Sequence, residues 1–230
     1  HSFVEIQTDE GIVGLGGPVT GLVPHIIISQ FKDLLVGENP LASELLWDKM
    51  YRLAVHGRKG STMMAISALD NALWDIRGKW ADAPVYQLLG GPTRERIPAY
   101  ASMLGFSVEP ERAAERARAY REKGYRAQKW FFRASPGDGL EGMARNEALA
   151  KAVRAAMGPD SDLMLDCWMS WTLRYAKLMA PRLAPVNPRW IEEPVMADKY
   201  DVCAKIREAM PFPVSNGEHE YTRWGFYKIL

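Results

Sequence analysis

The chain has 230 residues, 47% of them hydrophobic, which is enough to bury a core in one large domain or two smaller ones. Its 29 Lys and Arg stand against 28 Asp and Glu, a formal charge of +1 with no long basic run, so nothing draws it electrostatically to nucleic acid or an anionic membrane. Two cysteines, Cys167 and Cys203, make no disulfide framework and match no metal-ligand spacing, and the longest apolar runs, such as Ile26–Ile28, are far too short to cross a bilayer; a small-molecule partner and a reducing, cytoplasmic setting are expected.

Phe3–Ile6 alternates apolar and polar residues, Gly11 breaks the run, and Ile12–Leu15 resumes it. The pattern predicts a strand hairpin followed by a glycine-rich loop at Gly16-Gly17-Pro18. Helices are expected over about 23–35, 42–51 and 61–79; in the last, Met64, Ser67, Ala68, Asn71, Ala72 and Asp75 recur at i, i+3, i+4 spacing. This α+β third closes at Leu88-Leu89-Gly90-Gly91-Pro92, where glycine serves a left-handed cap and proline forbids continuation. The boundary gives a first domain over 1–95 and a second over 96–230.

Beyond it the rhythm becomes strand, helix, strand, the signature of parallel βα units. Strands are expected over 97–103, 126–132, 163–168, 190–193 and 214–216, with helices over 110–123, 140–157, 173–183 and 200–209. A doubly wound nucleotide-binding sheet is disfavoured because no glycine-rich phosphate loop follows the first strand. The preferred fold is therefore α/β: an α+β domain followed by an incomplete (β/α) barrel, with about five of its eight strands present. A chain that opens on His1 rather than Met, and reaches Leu230 in the helix after the fifth strand, is expected to be a fragment.

Three of these strands run into an acidic residue: Leu163-Met164-Leu165-Asp166, Trp190-Ile191-Glu192-Glu193, and Val214-Ser215-Asn216-Gly217-Glu218. Asp166 to Glu192 and Glu192 to Glu218 are equal steps of 26 residues, about one βα unit each. Equal steps place the three carboxylates side by side on the C-terminal rim, where barrel enzymes carry their chemistry. Three hard oxygen ligands with no cysteine or histidine pair suit Mg²⁺. Lys129, between Gln128 and an aromatic run at a strand end, is a further candidate.

Ser67–Lys79, followed by Pro84–Gly91, resembles the end of the capping domain in the mandelate racemase group of the enolase superfamily. Trp190-Ile191-Glu192-Glu193-Pro194 and Gly217-Glu218 resemble that group's second and third metal-ligand segments, and Asp166 its first. Within the group, Leu163–Ser170 and Gly217-Glu218-His219 are most similar to rhamnonate dehydratases. The resemblance implies a capping domain before the barrel, Mg²⁺ on Asp166, Glu192 and Glu218, and a symmetric homo-oligomer. It implies a hydro-lyase acting on a sugar acid: a base takes the proton α to a carboxylate, the metal holds the resulting enediolate, and the β-hydroxyl leaves.

In racemases of the group the second barrel strand ends Lys-x-Lys, whereas this chain reads Lys129-Trp130-Phe131. The resemblance thus gives Lys129 the stabilisation of charge and leaves Phe131 where a base would be, which disfavours two-base racemisation. It places the general base, a histidine, beyond Leu230. His219 becomes a candidate substrate contact or proton donor. Trp168, His56 and Arg58 become candidate substrate contacts, the last two in one of two capping-domain loops expected to close over the substrate, the other being Gly16–Thr20. A racemase or cycloisomerase of the same superfamily, and a non-catalytic fragment, are the competing readings.

Overall fold

The opening alternation folds as an antiparallel hairpin in the computed structural model, which describes residues 1–230: β1 (Ser2–Gln7) pairs with β2 (Val13–Val19), Gln7 opposite Val13 and Val4 opposite Gly16. β2 runs on through Gly16-Gly17-Pro18, where the sequence predicts a loop. The glycines at 14 and 16 serve packing rather than turning. A Cβ on Gly16 would lie 1.9 Å from the carbonyl oxygen of Ala68, and one on Gly14 2.2 Å from that of Ala72, both on the helix Ser61–Trp80. Leu15, between them, donates its backbone N–H to Asp75 at 2.8 Å, and Lys79 Nζ reaches the carbonyl of Val13 at 2.7 Å. Glycine at alternate strand positions thus lets a strand lie against helix backbone. Gly16→Ala should cost about 1–3 kcal/mol by overpacking, read as a lower melting temperature of the full-length protein; an unchanged melting temperature would show that strand and helix separate without cost.

The first expected helix is divided into α1 (Val23–Ile26), a wider π turn (Ile27–Phe31) and α2 (Lys32–Leu35). Two local features weaken regular helix there: the β-branched run Ile26–Ile28, and Ser29, whose hydroxyl donates back to the carbonyl of His25 at 2.7 Å. α3 (Ser43–Leu53), α4 (Ser61–Trp80) and α5 (Val85–Leu88) follow. α4 buries Ala65, Ile66, Leu69, Leu73 and Ile76. These elements form one unit, His1–Arg96; Ile97–Leu230 form the other.

The second unit holds five parallel strands, β3 (Ala101–Ser102), β4 (Ala127–Phe131), β5 (Asp162–Asp166), β6 (Trp190–Glu192) and β7 (Val214–Ser215). Their order in the sheet is their order in the chain. A doubly wound sheet reverses its order at a switch point; this one does not, and it is an incomplete (β/α) barrel. The connections are α6 (Pro110–Glu122), α7 (Gly139–Met157), α8 (Leu173–Leu183) and α9 (Tyr200–Ala209), and α10 (Thr222–Tyr227) follows the last strand. β3 is far shorter than the expected 97–103: Pro98 has no N–H to give a neighbouring strand, and Ile97 is exposed.

Strand alternation divides the second unit chemically. Trp130, Leu163, Leu165 and Ile191 belong to one core with Ala113, Ala117, Leu149, Val153, Met179 and Ile206 of the helices. The intervening positions of the same strands, Lys129, Phe131, Met164, Asp166 and Glu192, belong to the opposite face. No helix is long and apolar enough to cross a membrane.

Candidate metal centre

Parallel register sets the heart of the site, with Phe131 opposite Asp166 and Asp166 opposite Glu192. Glu192 in turn pairs with Ser215, the last residue of β7. Glu218 therefore lies beyond the strand rather than at its tip. Gly217, with φ at +118°, turns the chain between Ser215 and Glu218, a conformation that glycine adopts without strain. Ligand oxygens of Asp166, Glu192 and Glu218 all lie within 4.8 Å of one another; Asp166 and Glu192 are buried, Glu218 exposed.

Each buried carboxylate has one oxygen committed to a neutral donor. Asp166 Oδ1 accepts from the backbone N–H of Trp168 at 2.9 Å, and Glu192 Oε2 from the indole Nε1 of Trp190 at 2.9 Å. Their other oxygens face Lys129, whose Nζ lies 2.5 Å from Glu192 Oε1 and 3.0 Å from Asp166 Oδ2. Asp166 Oδ2 nevertheless has no partner in hydrogen-bonding geometry, although Asp166 is only 1% exposed. Lys129 is thus an ion-pair partner of Oδ2 rather than a well-aligned donor, and three carboxylates converge where one ammonium lies, an excess of negative charge that a further cation would balance.

Burial raises the carboxyl of Asp166 above the usual aspartate range, against the pull of Lys129 and the Trp168 amide. Burial also raises Glu218, with Lys129 opposing. For Lys129 burial favours the neutral amine, but hydrogen bonds and charge attraction from Glu192 and Asp166 outweigh it, and its pKa stands above that of ordinary lysine. Asp166 and Glu192 thus favour the ammonium form of Lys129.

Next to this cluster Glu193 Oε2 lies 2.6 Å from His219 Nδ1, and the His219 backbone N–H reaches Glu193 Oε1 at 3.3 Å. Plain alternation would send Glu193 to the face opposite Glu192; its positive φ of +41° departs from extended geometry and lets both glutamates serve one rim. Sequence reasoning assigned Glu193 no role, and the Glu-Glu doublet before Pro194 was the available signal. It also passed over Trp190, the donor to Glu192. The positioning of Trp168 is chiefly backbone: the residue has φ at +44°, its amide meets Asp166, and its side chain is 63% exposed.

His56 and Arg58 belong to the first unit, in the turn between α3 and α4, where the Arg58 guanidinium lies over the Tyr51 ring at 4.9 Å. The expected Gly16–Thr20 loop lies mostly within β2, as described above. A concavity of about 630 Å³ in that unit is lined largely by apolar residues such as Val4, Ile6, Leu69 and Leu73, and none of the ligand clusters falls there.

Residues 112–230 match the family model described as enolase C-terminal domain-like, and residues 1–90 match the mandelate racemase / muconate lactonizing enzyme N-terminal domain. The chain is 34% identical to an L-rhamnonate dehydratase of Saccharopolyspora erythraea over 99% of its own length and 56% of that protein's. Among solved structures, L-rhamnonate dehydratase from Gibberella zeae superposes with a TM-score of 0.87 at 35% identity, covering 99% of this chain and 56% of that one; the same enzyme has also been crystallised complexed with Mg. The 3,6-anhydro-D-galactonate cycloisomerase from Zobellia galactanivorans superposes with a TM-score of 0.88 at 34% identity, covering 99% and 62%. The chain spans little more than half the length of the curated relatives it matches.

Proposed function

Because the chain belongs to the enolase superfamily, in its mandelate racemase / muconate lactonizing enzyme group, we propose that the protein containing it is a Mg²⁺-dependent dehydratase of sugar acids. The observation that carries the reading is the convergence of Asp166, Glu192 and Glu218, whose ligand oxygens all lie within 4.8 Å of one another. Similarity to L-rhamnonate dehydratases supports the substrate class.

Asp166, Glu192 and Glu218 would hold the ion, an all-oxygen set of the kind Mg²⁺ takes. When bound, Mg²⁺ supplies concentrated positive charge beside a substrate carboxylate whose α-proton is otherwise very weakly acidic. Lys129 adds a second positive charge where negative charge develops. Phe131 lies on the same strand face as Lys129 and has no proton-accepting atom, so β4 offers no base. The α-proton is taken from the other side of the substrate by a residue outside this chain. His219, held at Nδ1 by Glu193, delivers a proton to the departing β-hydroxyl through Nε2, so that the carbon–oxygen bond breaks with loss of water and the enol product tautomerises to a 2-keto-3-deoxy acid.

The test is a screen of six-carbon and deoxy sugar acids with Mg²⁺ and full-length protein. The expected result is a 2-keto-3-deoxy acid and one equivalent of water, with no racemisation of mandelate-like substrates. The likeness to a cycloisomerase gives the second reading a specific basis: isomerisation or epimerisation without loss of water would replace dehydration, and absence of all turnover would favour a non-catalytic protein.

A further inference from the structure

We infer that Lys129 is a resident cation of the carboxylate cluster, so that divalent-ion binding is an exchange in which the ammonium gives up its contacts with Asp166 and Glu192. The inference rests on the proposed Mg²⁺ site but concerns its affinity, not its reaction. Asp166 Oδ1 is committed to the Trp168 amide and Glu192 Oε2 to the Trp190 indole. The oxygens of these two residues that face no neutral donor are Asp166 Oδ2 and Glu192 Oε1, and those are the two that Lys129 Nζ approaches, at 3.0 and 2.5 Å. Ion and ammonium therefore seek the same atoms, and a divalent cation bound there would repel an ammonium only a few ångströms away.

The surroundings offer the ammonium somewhere to go. Lys129 Nζ lies 5.4 Å from the Phe131 ring centroid and 5.9 Å from that of Tyr100, and aromatic faces hold a cation without competing for the carboxylates. Phe131, which removes a base from β4, thereby provides a resting place for Lys129. Until the ion arrives, the ammonium relieves the repulsion between two buried carboxylates and keeps them in register. Two ligands that share one set of contacts are negatively coupled, and removing one strengthens the other.

The experiment compares full-length wild type, Lys129→Met and Lys129→Arg by calorimetric titration with Mg²⁺ and by thermal melting with and without it. Lys129→Met should bind Mg²⁺ tighter by about 5- to 150-fold, the usual range of coupling between sites. It should melt lower without Mg²⁺ and show a larger stabilisation by the ion. Lys129→Arg, which keeps the charge, should stay near the wild-type affinity. Should Lys129→Met not fold, amine-reactive labelling of the wild type read by mass spectrometry still decides: Mg²⁺ should speed modification of Lys129, and unchanged or slower labelling overturns the exchange. Mg²⁺ affinity that is unchanged or weaker in Lys129→Met also overturns the exchange alone. Wild type that binds no Mg²⁺ overturns the metal reading beneath it as well.

Discussion

Asp166→Asn in the full-length protein should abolish measurable Mg²⁺ binding and lower turnover of the sugar acid by on the order of 10³-fold or more, since the ion's contribution to charge stabilisation amounts to several kcal/mol. The change is nearly isosteric. The amide oxygen can still accept from the Trp168 N–H that Asp166 Oδ1 now engages at 2.9 Å, and the strand pairings of residue 166 with Phe131 and Glu192 are backbone properties. What disappears is the carboxylate charge and the acceptor at Oδ2, the buried oxygen 3.0 Å from Lys129 Nζ. Circular dichroism of the variant should match wild type while the calorimetric signal for Mg²⁺ is lost. Retained Mg²⁺ affinity, or turnover within about tenfold of wild type, would show that the ion, if bound at all, is not held by this carboxylate.

Much of this site was legible in the sequence because barrel architecture converts spacing along the chain into adjacency in space. Equal steps from Asp166 to Glu192 to Glu218 need only parallel strands in sequential order to bring three acids together, and the sheet has that order. Three features were not legible, two of them because local backbone geometry overrides a periodic pattern. Glu193 joins the rim through a positive φ that strict alternation does not anticipate. Glu218 reaches the cluster from a glycine turn after a strand that ends three residues earlier. Gly16 reads as a loop residue in one dimension and Gly14 as an ordinary strand position, whereas the role of both is close contact with carbonyls on α4, which depends on residues more than fifty positions away. The Lys129 assignment was half legible: the residue stood out by position, but its place between two particular oxygens is a matter of three dimensions.

Lys129→Met, assayed at saturating Mg²⁺, should lower kcat by about 10²–10³-fold, the loss expected on removing one preorganised donor to a developing oxyanion. Methionine keeps much of the length and apolar character of the lysine stem, so packing within a site where Lys129 is only 7% exposed is largely preserved and charge is the variable under test. In the proposed reaction Lys129 acts as a positive charge and not as the base, so its effect falls on the stability of the deprotonated substrate. Exchange of the substrate α-proton with deuterated solvent should slow in parallel with turnover, because both pass through the same charged species. A variant that turns over slowly yet exchanges the α-proton at the wild-type rate would place Lys129 in departure of the hydroxyl instead. Tighter Mg²⁺ binding together with slower chemistry is the joint signature: the ammonium that competes with the ion for Asp166 and Glu192 becomes, once displaced toward Phe131 and Tyr100, a second positive charge free to meet the substrate.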